Sequence, residues 1–342
     1  MMTPRDTLSR PLRPGRWRPA PELAVWLILL SVAAALLGHS HKAAAQAFPT
    51  RTVKIITNSS AGGTYDIFAR ALASKLQSRW GQAVIVEPRP GGNFTIAGRA
   101  CADSAPDGST LCVLSGETLV YADVLYKNVP YDSRKDFAPV TNLFFNTQAL
   151  VASAVLGVKT FDELVALAKT RPLAFSAPAV AQRLFLERLI QAKGMDMVSV
   201  PFRGGSEVVT SLLNGTTPVL FSGGANFPPL IRGGTIVGLA VDSPNRSPLF
   251  PHVPTLAELG YPEKLNRNYA GLVVAAATPP TLVSRLNHDV VAVMNDPAFR
   301  QQQLVDRALE PIADSPAQFS SFLAEDRISF EKVVTEAKIE RQ

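Results

Sequence analysis

At 342 residues the chain is longer than one hydrophobic core usually serves, which points to two lobes, and its formal charge of +6 raises the question of an anionic partner. Most of that charge belongs to residues 1–47, where Arg5, Arg10, Arg13, Arg16, Arg18 and Lys42 outnumber Asp6 and Glu22, so about +2 remains for residues 48–342 and gives no case for nucleic acid. Two cysteines and four histidines, with no cluster at metal-ligand spacing, speak against a metal centre.

The arginines of residues 5–18 precede an apolar stretch, 23–37, and then the triplet Ala45-Gln46-Ala47. Basic, apolar and small-residue segments in that order read as a secretory signal cut before Phe48, so residues 1–47 are expected to be removed on export to the periplasm. The apolar core is short for a membrane span, and a retained N-terminal anchor is the alternative. No lipobox cysteine lies near the cut, and His39 and His41 leave with the leader.

The apolar run 53–56 reads as a strand, and Phe68, Leu72, Leu76 and Trp80 recur every fourth residue on a helix over 66–80. Between them lies Ser59-Ser60-Ala61-Gly62-Gly63-Thr64-Tyr65. Paired glycines let a ligand approach the backbone, and the first amides of a helix lack internal partners, so this turn is a candidate anion site. A plain glycine turn, satisfied by water and capped by Thr64 or Asp66, is the competing reading, and Asp66 is expected to cap rather than face an anion. The spacing fits neither the dinucleotide G-x-G-x-x-G nor the phosphate loop, so the anion is expected to be a small carboxylate.

Next come a strand at 83–87, a loop at 88–93, a helix at 94–103, a strand at 110–114 and a polar loop at 115–118. This β-α-β-α-β order favours a parallel sheet with ligands at the strands' carboxyl ends, which opens loops 58–65 and 115–118 on one edge. Cys101 and Cys112 face each other across the 106–108 turn as either a disulfide or two buried thiols. The strand at 149–152 is read as a crossover into a second alternating lobe: helix 161–170, strand 173–175, helix 181–193, strand 198–202, the turn Arg203-Gly204-Gly205, strand 218–221, the turn Ser222-Gly223-Gly224 and strand 236–241. A proline-rich connection, 243–262, leads to a return crossover at 269–276 and helices at 280–295 and 317–338. The fold class is therefore α/β, two largely parallel sheets with flanking helices and two crossover strands as hinge, with lobe one at 48–148 and 273–342 and lobe two at 149–272. Neither H-E-x-x-H nor G-x-S-x-G occurs, and no cofactor, metal or catalytic residue is expected.

Beyond these patterns, the chain resembles the Bug-type substrate-binding proteins of tripartite tricarboxylate transporters. The resemblance is carried by Ala61-Gly62-Gly63 with Asp66-Ile67 and Ala69-Arg70, by Glu87-Pro88-Arg89-Pro90-Gly91, by Ala105-Pro106-Asp107-Gly108 and by Pro130-Tyr131-Asp132. It continues through Asp136-Phe137-Ala138-Pro139-Val140, Val200-Pro201-Phe202-Arg203-Gly204, Arg246-Ser247-Pro248, Val253-Pro254-Thr255 and Gly271-Leu272. It implies a two-lobed periplasmic binding protein, a monomer, that closes on a small organic carboxylate and presents it to a membrane permease of that transporter type, with no nucleic-acid partner. It also implies ligand contacts from Ser60, Gly62, Gly63, Thr64, Tyr65, Ser115 and Thr118 in lobe one. Ser176, Ala177, Arg203, Gly204 and Ser222 in lobe two, and Tyr269 at the return crossover, complete the set.

Bland readings stand beside several of these: Arg203 as a solvated loop charge, Tyr269 as hinge packing, Ser222 as turn chemistry. The chain departs from the family at 175–181, which is shorter and more apolar than the usual second-lobe clamp, at Ser222-Gly223-Gly224 and at Asn58-Ser59-Ser60. A small-molecule hydrolase or isomerase on the same scaffold, or a component that presents ligand to a sensor, are the alternative functions.

Overall fold

The computed structural model describes residues 48–178, 180–202, 205–261 and 266–342, so the expected signal segment and the turn residues Arg203 and Gly204 lie outside the described residues. The β-branched run Val53–Thr57 (β1) buries Val53, Ile55 and Ile56, as a central strand covered on both faces must. It hands over through the glycine turn to a helix, Thr64–Trp80 (α1), whose Phe68, Leu72 and Leu76 are fully buried on the face their spacing defines. Val84–Pro88 (β2), Thr95–Ala102 (α2) and Thr110–Ser115 (β3) complete a parallel unit in which β1 lies between β2 and β3. Cys101 of α2 and Cys112 of β3 are joined by a disulfide, with Cα atoms 6.2 Å apart, which ties the helix to the strand beneath it.

A π-helical turn, Glu117–Tyr121, and a single helical turn, Ala122–Leu125 (α3), lead into Phe137–Asn146 (β4). Pro139 and Asn142 interrupt the apolar run of β4, and the register of its pairing shifts twice along the strand. Its antiparallel partner is Tyr269–Ala275 (β10), inserted between β4 and β3, and Leu309–Pro311 (β11) pairs along the other side of β4. The first sheet is therefore mixed, in the order β11-β4-β10-β3-β1-β2.

The second sheet holds Gln148–Ser153 (β5), Leu173–Ser176 (β6), Met197–Ser199 (β7), Val219–Gly223 (β8) and Ile236–Val241 (β9), in the order β7-β6-β8-β5-β9. The helices Phe161–Ala168 (α4), Val180–Lys193 (α5), Gly205–Leu213 (α6) and Pro228–Arg232 (α7) separate these strands along the chain. Phe161, Phe175, Phe185, Leu189 and Phe221 form a core distinct from that of the first sheet. Pro280–Met294 (α8), Pro297–Gln303 (α9) and Pro316–Glu336 (α10) return to the first lobe, α10 opening with a capping box between Ser315 and Gln318.

Two chain crossings join the lobes, and their strand ends meet there. The Gln148 amide donates to Asp242 Oδ1 at 2.8 Å, the Asp242 amide to Gln148 O at 3.0 Å, and the Asn146 amide to Asn268 O at 2.8 Å. Away from the crossings, Ala181 and Leu184 of α5 pack into the first-lobe cluster of Tyr121, Leu125, Phe330 and Val334. Both sheets thus turn their strand carboxyl ends toward one junction.

The disulfide closes a short loop, sequence separation 11, so its removal should cost about 3 kcal/mol through the unfolded chain. A Cys101→Ser, Cys112→Ser double variant is expected to show that loss in urea unfolding and to abolish the sensitivity of the wild type to reductant. A variant as stable as the oxidised protein would show that the bridge does not constrain the chain.

Candidate functional site

The glycine turn is held from within. Asp66, only 2 % exposed, accepts the Gly62 amide at 2.8 Å and the Arg70 Nε at 3.0 Å through the same oxygen. The Gly63 amide donates to Ser60 O at 2.9 Å. Asp66 therefore shapes the loop without being the expected cap, since the N-cap of α1 is Gly63 and no side chain caps it, and the two glycine amides are spent inside the loop and cannot grip a ligand. Gly62 is needed for its φ of 78°, and Gly63 for space, since a Cβ there would sit 2.1 Å from Ser59 Oγ. Burial pushes the Asp66 carboxyl up, but the Arg70 and Gly62 hydrogen bonds outweigh it and leave its pKa below the usual range. What the turn offers an anion is the start of α1: the amides of Thr64, Tyr65 and Asp66 all precede the first helical bond, from Ile67 N to Gly63 O.

Behind those amides runs a buried polar network that spans the carboxyl ends of β1 and β3 and the amino end of β10. Asn58, directly after β1 and 1 % exposed, donates through Nδ2 to Ser115 Oγ and to Thr118 Oγ1, both at 2.7 Å. Thr118 Oγ1 in turn donates to Phe94 O at 2.9 Å. Phe94 itself is strained, with φ 70° following Asn93 at 52°, yet its ring is 43 % exposed, so an apolar face stands free beside the network. On the other flank, Tyr65 Oη donates to Asn268 Oδ1 at 2.6 Å, and Asn268 Nδ2 donates to Glu117 Oε1 at 3.3 Å. Burial, and then the Glu117 carboxylate, push the Tyr65 phenol well above its ordinary pKa. Burial likewise raises Glu117, against hydrogen bonds from Ser115 and Asn268.

A second acidic group lies deeper. Asp326 of α10 accepts Asn266 Nδ2 at 2.8 Å and faces the hydroxyls of Tyr121 and Tyr269, neither of which makes a close hydrogen bond. Burial pushes Asp326 up to about 6, with those three polar neighbours pulling the other way. Tyr269 is fully enclosed, its ring set edge-on to Phe322 at 4.8 Å and to Phe145 at 6.2 Å, so no face is left for a ligand to stack on. It belongs to the packing of the crossing.

Of the residues proposed from the sequence, Tyr65, Ser115 and Thr118 fall in one network, with Ser60, Gly62, Gly63 and Thr64 in the turn beside it. Ser176 and Ala177 lie at the end of β6, both buried, and Ser222 sits one residue before the end of β8, paired with Ala149. These come from the second sheet, and among the described residues no hydrogen bond joins them to the first-lobe network. Arg203 and Gly204 lie outside the described residues. The residues that sequence reasoning passed over are Asn58, Glu117 and Asn268. Their signal was position alone: polar residues at the ends of otherwise apolar strands, where a parallel sheet places its ligands. His252 and His288 are exposed, and no metal-binding group of His, Cys, Asp and Glu occurs among the described residues.

Residues 68–339 match TctC, the tripartite tricarboxylate transporter family receptor. Protein BugT of Bordetella pertussis is 31% identical over 318 residues, covering 91% of this chain and 96% of that protein. Among solved structures, the R. palustris protein Rpa4515 with adipate is 27% identical at a TM-score of 0.78, over 85% of this chain and 99% of its own. MatC from Rhodopseudomonas palustris with bound malate is 26% identical at a TM-score of 0.71, over 84% of this chain and 100% of its own.

Removing the Asn58 amide by Asn58→Ala leaves two buried hydroxyls short of a donor, and should cost on the order of 2 kcal/mol in urea unfolding. A loss below about 0.5 kcal/mol, the level of ordinary surface substitutions, would show that the network does not carry the strand ends. For Asp326, a folded pKa near 6 exceeds the ordinary 3.8, so the folded state holds the proton more tightly; its contribution is complete below the ordinary value and is lost as pH rises through about 6. Asp326→Asn removes that loss, so the variant should gain on the wild type by on the order of 2 kcal/mol between pH 4 and pH 7.5. Parallel stability profiles would refute the assignment.

Proposed function

The chain belongs to the receptor family of the tripartite tricarboxylate transporters, and on that premise we propose that it is a periplasmic solute-binding protein that captures a small organic carboxylate between its lobes and delivers it to a membrane permease. The observation that carries this is the junction of two sheet edges at 146–148, with the start of α1 presented on one of them. A helix N-terminus supplies unpartnered N–H groups and partial positive charge, which favours an anion small enough to be reached by three successive amides. Adipate and malate, the acids held by the two R. palustris relatives, are of that kind.

In this reading Thr64, Tyr65 and Asp66 give their amides to one ligand carboxylate, and Ser60 and Gly62 line the turn's exposed side. Ser176, Ala177 and Ser222 approach from the second lobe. The crossings at 146–148 and 242–268 act as the hinge, and lobe closure replaces the ligand's water shell with protein. The basic and apolar leader with its Ala45-Gln46-Ala47 site directs export, which places capture in the periplasm.

A thermal-shift screen of the exported protein against mono-, di- and tricarboxylates, with neutral sugars as controls, tests this directly. An acid at about a hundred times its Kd should add about 2.7 kcal/mol to stability. It should also be recovered unchanged after long incubation, since capture involves no chemistry. Stabilisation by sugars alone would overturn the carboxylate assignment, and conversion of the bound acid would favour the hydrolase or isomerase reading.

A further inference from the structure

Helix α5 serves two cores. Phe185, Leu186, Leu189 and Ile190 fill the core of the second lobe, to which the helix belongs. Ala181 and Leu184, on the neighbouring stripe of the same helix, belong instead to the first-lobe cluster with Tyr121, Leu125, Phe330 and Val334, and Val180 packs against that cluster. Leu184 is 4 % exposed, so the contact encloses it. A helix that packs on its own sheet needs one apolar stripe; the second stripe of α5 finds its partner across the boundary between the lobes.

The contact continues along α5 at the four-residue spacing that keeps one face together, from Val180 through Leu184 to Arg188, whose Nη1 stands 4.0 Å from Glu336 at the end of α10. The platform beneath it is fastened from its own side. Gln342 O accepts the Lys127 amide at 2.7 Å and its amide donates to Leu125 O at 2.9 Å, while Arg341 Nη2 donates to Asp123 O and Tyr126 O. On the other side, α5 begins soon after Ser176 and Ala177 at the end of β6. That strand end cannot swing away from the first lobe without drawing the second stripe of α5 out of the cluster.

We propose that this stripe is an apolar latch between the lobes and that Leu184 is its positioning residue, holding the Ser176 and Ala177 end of β6 against the first lobe while the cleft is closed. Parting the lobes at this edge exposes Leu184 and the first-lobe side chains beneath it to water, which disfavours opening. Leu184 acts on a bound acid only through that closure, so its effect falls on release. The part played in retention rests on the carboxylate reading above, whereas the latch itself does not.

Two measurements on the exported protein test it. Both native cysteines are bridged, so spin labels can be placed on cysteines introduced at the exposed positions Glu187 and Lys332, one on each lobe. The distance between them should be short with Leu184 or Leu184→Met and should shift to longer values in Leu184→Ala. Val334→Ala, on the facing helix, should give the same shift and decides the matter should Leu184→Ala fail to fold. In stopped-flow release of adipate and of malate, Leu184→Ala should let go roughly tenfold faster than the wild type, with the rate restored in Leu184→Met. Distances unchanged in both alanine variants would overturn the latch and leave the carboxylate reading standing. Longer distances with unchanged release of a bound acid would overturn the part of Leu184 in retention. Failure of both acids to bind would count against the carboxylate reading, and the distances alone would then decide the latch.

Discussion

One buried amide fixes the geometry on which the candidate site depends. Asn58 leaves β1 at the point where the strand becomes a loop, and its side chain reaches across to Ser115 and Thr118 at the end of β3. Backbone pairing alone sets β1 and β3 side by side, but it does not say where the chain goes after the last pair. By anchoring both exits in a water-excluded place, where an unmet donor would be costly, Asn58 holds the glycine turn and the π-helical turn in fixed relation. The start of α1 is the outlet of that arrangement.

Much of the framework was legible in the sequence because its signals are local. The β-branched run of β1, the fourfold spacing of Phe68, Leu72 and Leu76, and the turn residues between them each predict their own element, and the alternation predicts the parallel edge on which loops 58–65 and 115–118 open. β4 was not legible, because Pro139 and Asn142 break its pattern and its pairing with β10 spans more than 120 residues of chain. The same non-local pairing hides Asn268: nothing near it in sequence shows that it meets Tyr65 and Glu117. Glu117 lay within a loop read as polar, and its burial is a product of the π-helical turn, which folds that loop inward against β10 and α10. The two glycine amides erred in the opposite direction. Local sequence shows that a turn can present N–H groups, but which of them the loop consumes depends on Asp66 reaching back four residues.

The crossing between lobes shows how the two sheets can remain separate bodies and still be aligned. Arg267 lies over the Phe145 ring at 4.6 Å, pairs with Glu310, and stands 3.7 Å from Asp242, whose carboxyl in turn accepts the Gln148 amide. Burial pushes Asp242 up to about 6 even with Arg267 and the Gln148 amide drawing it down. A buried pair of this kind adds little net stability, because desolvation offsets most of the attraction. Its effect is orientational: a planar guanidinium with two acidic partners and an aromatic face beneath it has few alternative positions. The hydrophobic cores of the two lobes do not share their largest residues, and the links at the crossing are hydrogen bonds and this ion cluster. Rotation of one lobe against the other at the two crossings would leave the second-lobe core intact, but it would have to slide or part Ala181 and Leu184 of α5 from the first-lobe cluster into which they pack.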